Sequence, residues 1–386
     1  MRRDSEAFIG IDTAKARNAV AIAEGGRYGE IRYLGEFDNT PEAVSKLVRR
    51  LAERHGTLNF CYEAGPTGYG LHRQILSLKH SCIVVAPSLI PRRSGDRVKT
   101  NRRDAESLAR LLRAGELTPV WVPDETHEAV RDLVRTRAMA VEDYRRKRQH
   151  LSAFLLRLGR SYAGTASWKG RHLRWLDEQS FKHPAQRLAF QEMLNAIRAA
   201  AERIDRLDDA LVKIVPTWTM APVVAALQAL RGIAFLTATV LVAEMGDLRR
   251  FDHPRQLMAF VGLVPSEHST GETRHRGGIT KAGNMHARKA LIEAAWTYRH
   301  AAGIGEKQQR RQVDLPQVVR DIAWKAQARL CVRYRRLMAK GKKATVVAVA
   351  IAREIAAFLG TSPVTLNRPR SRARKDKHLT SLDGRQ

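Results

Sequence analysis

The sequence predicts an α/β domain at the N-terminus followed by a long, mainly helical remainder, and three observations carry that prediction. Residues 7–36 hold three short apolar runs in succession, AFIGID, NAVAIAE and IRYLGEF, each of strand length. The next fifty residues alternate helical spacing with two further apolar strands, LNFCYEA and CIVVAP. Beyond residue 125, apolar residues recur mostly at intervals of three and four, the period of a helix packed on one face.

Taken in order, three consecutive strands joined by short turns make an antiparallel meander. Asn39-Thr40-Pro41 is a helix start signal, and Val44, Leu47, Val48 and Leu51 form the apolar face that follows. LNFCYEA, a helical segment from Gly70 to Leu78 and CIVVAP complete the order strand, strand, strand, helix, strand, helix, strand. This is the order of an RNase H-like α/β fold. One long basic helix is expected from about Glu125 to Gly159, with Val130, Leu133, Val134, Val141, Leu151 and Leu155 as its apolar face. A second runs from about Gln186 to Val215, where Leu194, Ile197, Ile204, Leu207 and Leu211 fit a coiled-coil-like seam that Pro216 ends. The remainder to Gly360 reads as helical apart from a glycine-rich loop between Pro265 and Asn284. After Pro363 the apolar pattern stops, and six cations between Arg368 and Lys377 read as a disordered basic tail.

Composition narrows the partners. Lys and Arg number 68 against 39 Asp and Glu, a formal charge of +29 that exceeds what solubility needs and calls for a polyanion. The three cysteines, Cys61, Cys82 and Cys331, form no C-x-x-C pair, which excludes a disulfide frame or zinc knuckle and fits a reducing cytoplasm. Neither a signal-peptide run nor a stretch of about 18 apolar residues is present, so no membrane partner is expected. The acidic partner is then DNA or RNA, and the expected location is cytoplasmic and nucleoid-associated.

Three carboxylates stand where metal sites are built. Asp12 ends the first strand in FIGIDTAK, Glu63 ends another in NFCYEAGPTGYG, and Asp104 lies in KTNRRDAESLARLL on a helix face shared with Leu108, Leu111 and Leu112. Carboxylates converging from two strand ends and a helix suit hard divalent cations such as Mg2+ or Mn2+. Singly, each has a structural explanation: a turn at Asp12, an arginine partner for Glu63, and a capping box in Asn101-x-x-Asp104. Eight basic residues between Arg92 and Arg113, among them Arg97, Lys99, Arg102 and Arg103, flank Asp104 and read as facing nucleic acid. Leu230-Arg231-Gly232-Ile233 before the helix TATVLVAEMGD is similar to a helix-hairpin-helix turn, or equally a glycine packed between core helices.

FIGIDTAK, YEAGPTGYG and RVKTNRRDAESLA, in this order and spacing, resemble the motifs of the DEDD-type insertion-sequence transposases, the IS110 family. Residues 262–291, GLVPSEHSTGETRHRGGITKAGNMHARKAL, resemble that family's C-terminal segment. The resemblance implies a RuvC-like metal-dependent domain with a long C-terminal helix over 1–160, a helical coiled-coil region over 161–216, a C-terminal transposase domain over 217–365 and the tail over 366–386. It places the acidic ligands on Asp12, Glu63 and Asp104, with Asn101 at the remaining position, where a neutral carbonyl oxygen replaces a carboxylate. It implies a hydroxyl nucleophile directly before a glycine. That position holds Thr270, with Ser269 one residue earlier as the less hindered primary hydroxyl. Arg274, His275, Arg276, Lys281, Arg288 and Lys289 surround it and suit phosphates. The implied partners are double-stranded donor and target DNA, a noncoding guide RNA of the bridge type, and further copies of the chain as a dimer or tetramer. Alternatives are a junction-type nuclease using water, an actin-like ATPase or sugar kinase, for which no later phosphate motif is present, and an inactive nucleic-acid-binding protein.

The charge excess sets a first expectation. Affinity for nucleic acid falls with salt by about 0.9 log unit per log unit for each phosphate neutralised. A salt titration of binding checks this, and a slope near zero would remove the polyanion reading.

Overall fold

A computed structural model describes residues 5–91, 100–165, 167–270 and 273–360, with His268, Ser269, Arg274 and Arg276 described by their backbone alone. The chain divides into two compact units at Pro123, residues 1–123 and 124–386. The long helix that begins at Glu125 falls in the second unit by contact.

The first unit comprises β1 (Glu6–Asp12), β2 (Arg17–Glu24), β3 (Ile31–Asp38), α1 (Pro41–Ala52), β4 (Thr57–Glu63), α2 (Gly70–Ser77), β5 (Ser81–Val85) and α3 (Asn101–Arg113). Its five-stranded sheet has the order β3-β2-β1-β4-β5. The β1–β2 and β2–β3 pairs are antiparallel, and β1–β4 and β4–β5 are parallel. This mixed sheet is consistent with the expected RNase H-like domain, and the element order is the one read from the sequence.

Strand alternation sorts the two faces by size. Ile9, Ile11, Val20, Ile22, Leu58, Phe60 and Tyr62 pack with Val44, Leu47, Val48 and Leu51 of α1 and Ile75 of α2. On the opposite face Ala19, Ala21 and Ala23 meet Ala105 and Ala109 of α3. Small residues there let α3 lie backbone to backbone on the sheet. A β-carbon at Gly10 would stand 2.3 Å from the Ala105 carbonyl oxygen and 2.4 Å from the Ala109 nitrogen. Arg113, at the far end of α3, donates from Nη1 to the carbonyls of Glu24 and Gly29, which fixes the helix direction. Because Glu24 pairs with Ala7 at the start of β1, α3 runs against β1, and its first turn lies over the ends of β1 and β4.

The second unit is mainly helical: α4 (Glu125–Arg157), α5 (Gly170–Asp177), α6 (Pro184–Ile214), α7 (Ala221–Leu227), α8 (Phe235–Met245), α9 (Pro254–Phe260), β6 (Pro265–Thr270), β7 (Thr273–Ile279), α10 (Met285–Ala295), α11 (Glu306–Gln312), α12 (Gln317–Ala339) and α13 (Ala344–Gly360). The two long helices expected from the sequence are α4 and α6, which pack on each other. Leu151, Phe154 and Leu155 of α4 meet Phe190, Leu194 and Ile197 of α6 in a core closed by Leu176 and Phe181, and Arg137 pairs with Asp208 farther along. A larger core gathers Leu241 and Val242 of α8, Leu291 of α10, Leu330 of α12 and Ile351 and Ile355 of α13. Among the described residues no single helix is long and apolar enough to cross a membrane. The basic tail lies outside the described residues.

One expectation is corrected. Most of the segment read as a glycine-rich loop from Pro265 to Asn284 is an antiparallel ribbon of β6 and β7. Thr270, Thr273, Glu267 and Gly277 on it are exposed, so it lacks the apolar alternation that marks a strand with one buried face. Gly277 and Gly278 further lower its strand signal.

The tight seat of α3 gives a second expectation. Gly10→Ala forces α3 off the sheet and lowers stability by about 1 to 3 kcal/mol. The shift in urea midpoint measures it; an unchanged midpoint would show that the helix yields without cost.

Candidate active site

Asp12 and Glu63 end neighbouring parallel strands, with Ile11 level with Tyr62. Alternation puts Asp12 on the same face as Gly10, and Glu63 on the same face as Cys61, whose thiol donates to the Leu108 carbonyl of α3. Asp104 stands one residue before Ala105, which touches Gly10, in the first turn of α3. The backbone therefore brings the three half-buried carboxylates to one edge of one sheet face. Their side chains are not gathered into a cage: among the described residues no three of His, Cys, Asp and Glu are arranged to hold a metal ion. Three carboxylates repel at short range, and a cation is what would make closer approach favourable.

The loops behind these residues are built to hold still. Asn18, buried in β2, donates to Asn39 Oδ1 at 3.0 Å and accepts from the Ala14 nitrogen at 3.4 Å, while Asn39 donates to the Ala14 carbonyl at 3.0 Å. That network fixes the turn after Asp12. Thr13 and Thr67 hydroxyls lie 3.2 Å apart and tie the turn to the one after Glu63, which the Tyr62 hydroxyl also holds by donating to the Gly68 carbonyl at 3.0 Å.

Asn101 is not the helix cap. Thr100 is, its side chain accepting from the Arg103 nitrogen, and Asn101 is the first helical residue and exposed. The capping-box explanation of Asn101-x-x-Asp104 is thereby overturned, because Thr100 supplies the hydroxyl that a capping position prefers. Of the basic residues near Asp104, Arg102 bonds Glu106 at 2.8 Å and lies over the Tyr33 ring, and Arg103 is exposed. Arg97 and Lys99 lie outside the described residues.

In the second unit Ser269 pairs with Arg274 and Thr270 with Thr273, so both candidate hydroxyl residues sit at the end of the ribbon, and Thr270 is exposed. The base of the ribbon is locked. Thr280 donates to the Val264 carbonyl, Lys281 to Gly262 and Asn284 to Phe260. Gly283, at φ +107°, leaves a β-carbon only 2.1 Å from the Phe260 carbonyl oxygen, so no other residue fits there. Asn284 caps α10 by accepting from the Ala287 nitrogen at 2.9 Å, and its Nδ2 donates to Glu244 Oε2 at 2.7 Å. Glu244, with no exposed side-chain surface, also accepts from Arg135 Nε at 2.8 Å and Nη2 at 2.9 Å. Burial alone would raise its pKa; the bonds from Arg135 and Asn284 outweigh that and hold the carboxyl below its ordinary value. The sequence reading missed this group. Its one signal is a lone carboxylate in the apolar run TATVLVAEM.

The expected phosphate-facing cations divide. Lys281 and Lys289 are exposed, the latter 3.9 Å from Glu293. Arg288 is half-buried, and its Nη1 donates to the Val261 carbonyl at 2.9 Å, at the end of α9. Arg274 and Arg276 lie on β7, and His275 between them is exposed. At the helix-hairpin-helix candidate, the packing explanation of Gly232 holds, since a β-carbon would lie 2.5 Å from the Ala294 carbonyl oxygen.

Two comparisons bear on these regions. Residues 9–159 match the DEDD transposase model of IS110 elements, and residues 224–310 match the model of the IS116/IS110/IS902 transposase family. The chain is 55% identical over 354 residues to the transposase-named protein y4qE of Sinorhizobium fredii, covering 92% of this chain and 87% of that one. It is 30% identical over 340 residues to the transposase for insertion sequence element IS1533 of Leptospira borgpetersenii, covering 87% and 98%. The chain belongs to the IS116/IS110/IS902 transposase family. In this transposase Asp12, Glu63, Asn101 and Asp104 fall inside the first matched segment, and Glu244, Ser269, Thr270 and Asn284 inside the second.

The buried carboxylate yields the third expectation. A depressed folded pKa means that stability from Glu244 is fully present above the ordinary carboxylate value and is lost as pH falls through the folded one. Glu244→Gln costs about 1.5 to 3 kcal/mol at neutral pH, the scale of a hydrogen bond to a charged group. It also flattens the acid limb of a stability-against-pH curve. An acid limb identical to wild type would show that Glu244 is not the titrating group.

Proposed function

We propose that this transposase cuts and rejoins the DNA of an insertion sequence through two sets of side chains, the carboxylates at the sheet edge and a hydroxyl on the β6–β7 ribbon. The observation that supports it most is the placement of Asp12, Glu63 and Asp104 on one edge of one face, with loops fixed behind them. The donor set is oxygen only, which fits Mg2+ or Mn2+ held by Asp12, Glu63 and Asp104 with Asn101 as a weaker neutral ligand. Such a cation supplies charge neutralisation at phosphate oxygens.

Ser269 is assigned the attack, with Thr270 as the alternative. Its oxygen forms a bond to a backbone phosphorus while the phosphorus–oxygen bond to the adjoining deoxyribose breaks and leaves a free DNA hydroxyl. Strand exchange reverses the step, a new DNA hydroxyl displacing the serine oxygen. Lys281 and Lys289, with Arg274 and Arg276 on the ribbon, are assigned to hold the phosphates on either side. The RuvC-like identity of the first domain, the domain divisions at 160, 216 and 365, a guide RNA of the bridge type and assembly as a dimer or tetramer complete the reading, and they rest on the family resemblance.

A DNA substrate that traps the cleaved intermediate tests it. Wild type and Thr270→Ala give a covalent protein–DNA adduct, and Ser269→Ala gives none; loss in Thr270→Ala alone moves the role to Thr270. Asp12→Ala, Glu63→Ala and Asp104→Ala each lower recombination by about 10²-fold or more in a folded protein, as expected where stabilisation of developing charge is lost. Asn101→Asp stays active if that position is a ligand. DNA cutting without any adduct would make water the nucleophile and the enzyme a nuclease in its chemistry.

A further inference from the structure

Between Asp321 and Glu354 the chain carries nine Lys and Arg residues and no Asp or Glu. Most of them lie on α12 or just after it, outside both family-matched segments, 9–159 and 224–310. Lys325, Arg329, Arg333, Arg336 and Lys340 follow one another at intervals of four, four, three and four, so they form a single stripe. At 100° per residue the stripe is confined to about 80° of the helix surface. All five are exposed, whereas Ala323, Ala326, Leu330 and Tyr334 turn into the core on the other side.

Glu354 of α13, only 17% exposed, pairs with Arg329 at 3.0 Å and with Arg333, which anchors the middle of the stripe. Among the described residues no ion pair engages Lys325, Arg336 or Lys340. Like charges at helical intervals of four destabilise the helix that bears them, and a surface meant only for solubility mixes both signs. The stripe is thus maintained against its own repulsion, which a polyanion would relieve.

We infer that the outer face of α12 is a second DNA-binding surface, a phosphate track that grips duplex DNA without reading its sequence. The stripe spans 16 residues, 15 steps of about 1.5 Å or about 22 Å in all, along α12 to its C-cap Lys340. It holds no Asn, Gln, Ser or Thr to read base edges, which fits backbone contact. A single-strand platform would place an aromatic ring among the cations. The nearest exposed one, Trp324, lies about 100° round the helix from Lys325. Duplex DNA is chosen over RNA because the family is one of transposases.

The test uses the full chain carrying Lys325→Gln, Arg336→Gln and Lys340→Gln together, with duplex DNA of unrelated sequences. Three lost phosphate contacts make the log–log salt slope shallower by up to about 2.7, so that wild type loses roughly forty times more affinity than the variant between 50 and 200 mM salt. The loss is the same for every sequence. The charge-preserving variant Lys325→Arg, Arg336→Lys, Lys340→Arg keeps the wild-type slope. A wild-type slope in the Gln variant overturns the inference, as does a lost slope in the charge-preserving one. A change confined to duplex RNA overturns the assignment to DNA.

Discussion

Gly10 has no β-carbon, and the space that a β-carbon would fill is occupied by the backbone of α3. Much of the first unit follows from that contact. The alanines beside it, Ala19, Ala21 and Ala23 on the sheet and Ala105 and Ala109 on the helix, remove bulk along the same line. A helix held at that distance has little freedom to slide, so the turn bearing Asp104 is set relative to the strand ends bearing Asp12 and Glu63. The larger apolar cluster of the sheet lies on the other face, under α1 and α2, while on the α3 face Leu108 and Leu111 meet Cys61 and Val85 beside the alanines. The α3 face adds position to burial, and a larger residue at Gly10 would disturb that position for a little more burial.

The second unit solves the same problem with charge. Among the ribbon's described residues Ile279 at its base packs against the core, and that base is fixed by backbone bonds to the Phe260, Gly262 and Val264 carbonyls, by the close approach of Gly283 to Phe260 and by Asn284. Asn284 is itself held by Glu244. A carboxylate with no exposed surface in an apolar helix is costly to ionise, and Arg135 with Asn284 reverses that cost by placing donors on both of its oxygens. The arrangement makes the orientation of α10, and of the chain entering it from the ribbon, depend on an ion pair with α4.

Charge also organises the exterior. A formal charge of +29 would be a liability if spread evenly, since it opposes compaction. Part of it is neutralised locally, as in Arg102 with Glu106, Arg137 with Asp208 and Arg249 with Asp247. The cations of α12 from Lys325 onward are grouped, and among the described residues Glu354 of α13 pairs with two of them. Grouping concentrates the field where a phosphate backbone can relieve it, and it gives the helix a sequence-independent role distinct from that assigned to the ribbon.

The sequence by itself determined the strand and helix order of the first ninety residues, the two long helices and the strand-end positions of Asp12 and Glu63. These follow from periods of two and 3.6, which are properties of neighbouring residues. The tertiary structure decided what depends on partners far away in the chain. Thr100 displaced Asn101 as the cap of α3, a choice between adjacent residues that spacing alone leaves open. The ribbon replaced a loop because its sequence carries no apolar alternation to read. Arg288 gives one of its donors to the Val261 carbonyl at the end of α9, a partner its own spacing does not name. Glu244 found its partners 109 residues before it and 40 after it, and nothing local to TATVLVAEM names either one. A buried carboxylate announces that a partner exists; only the packed helices say which.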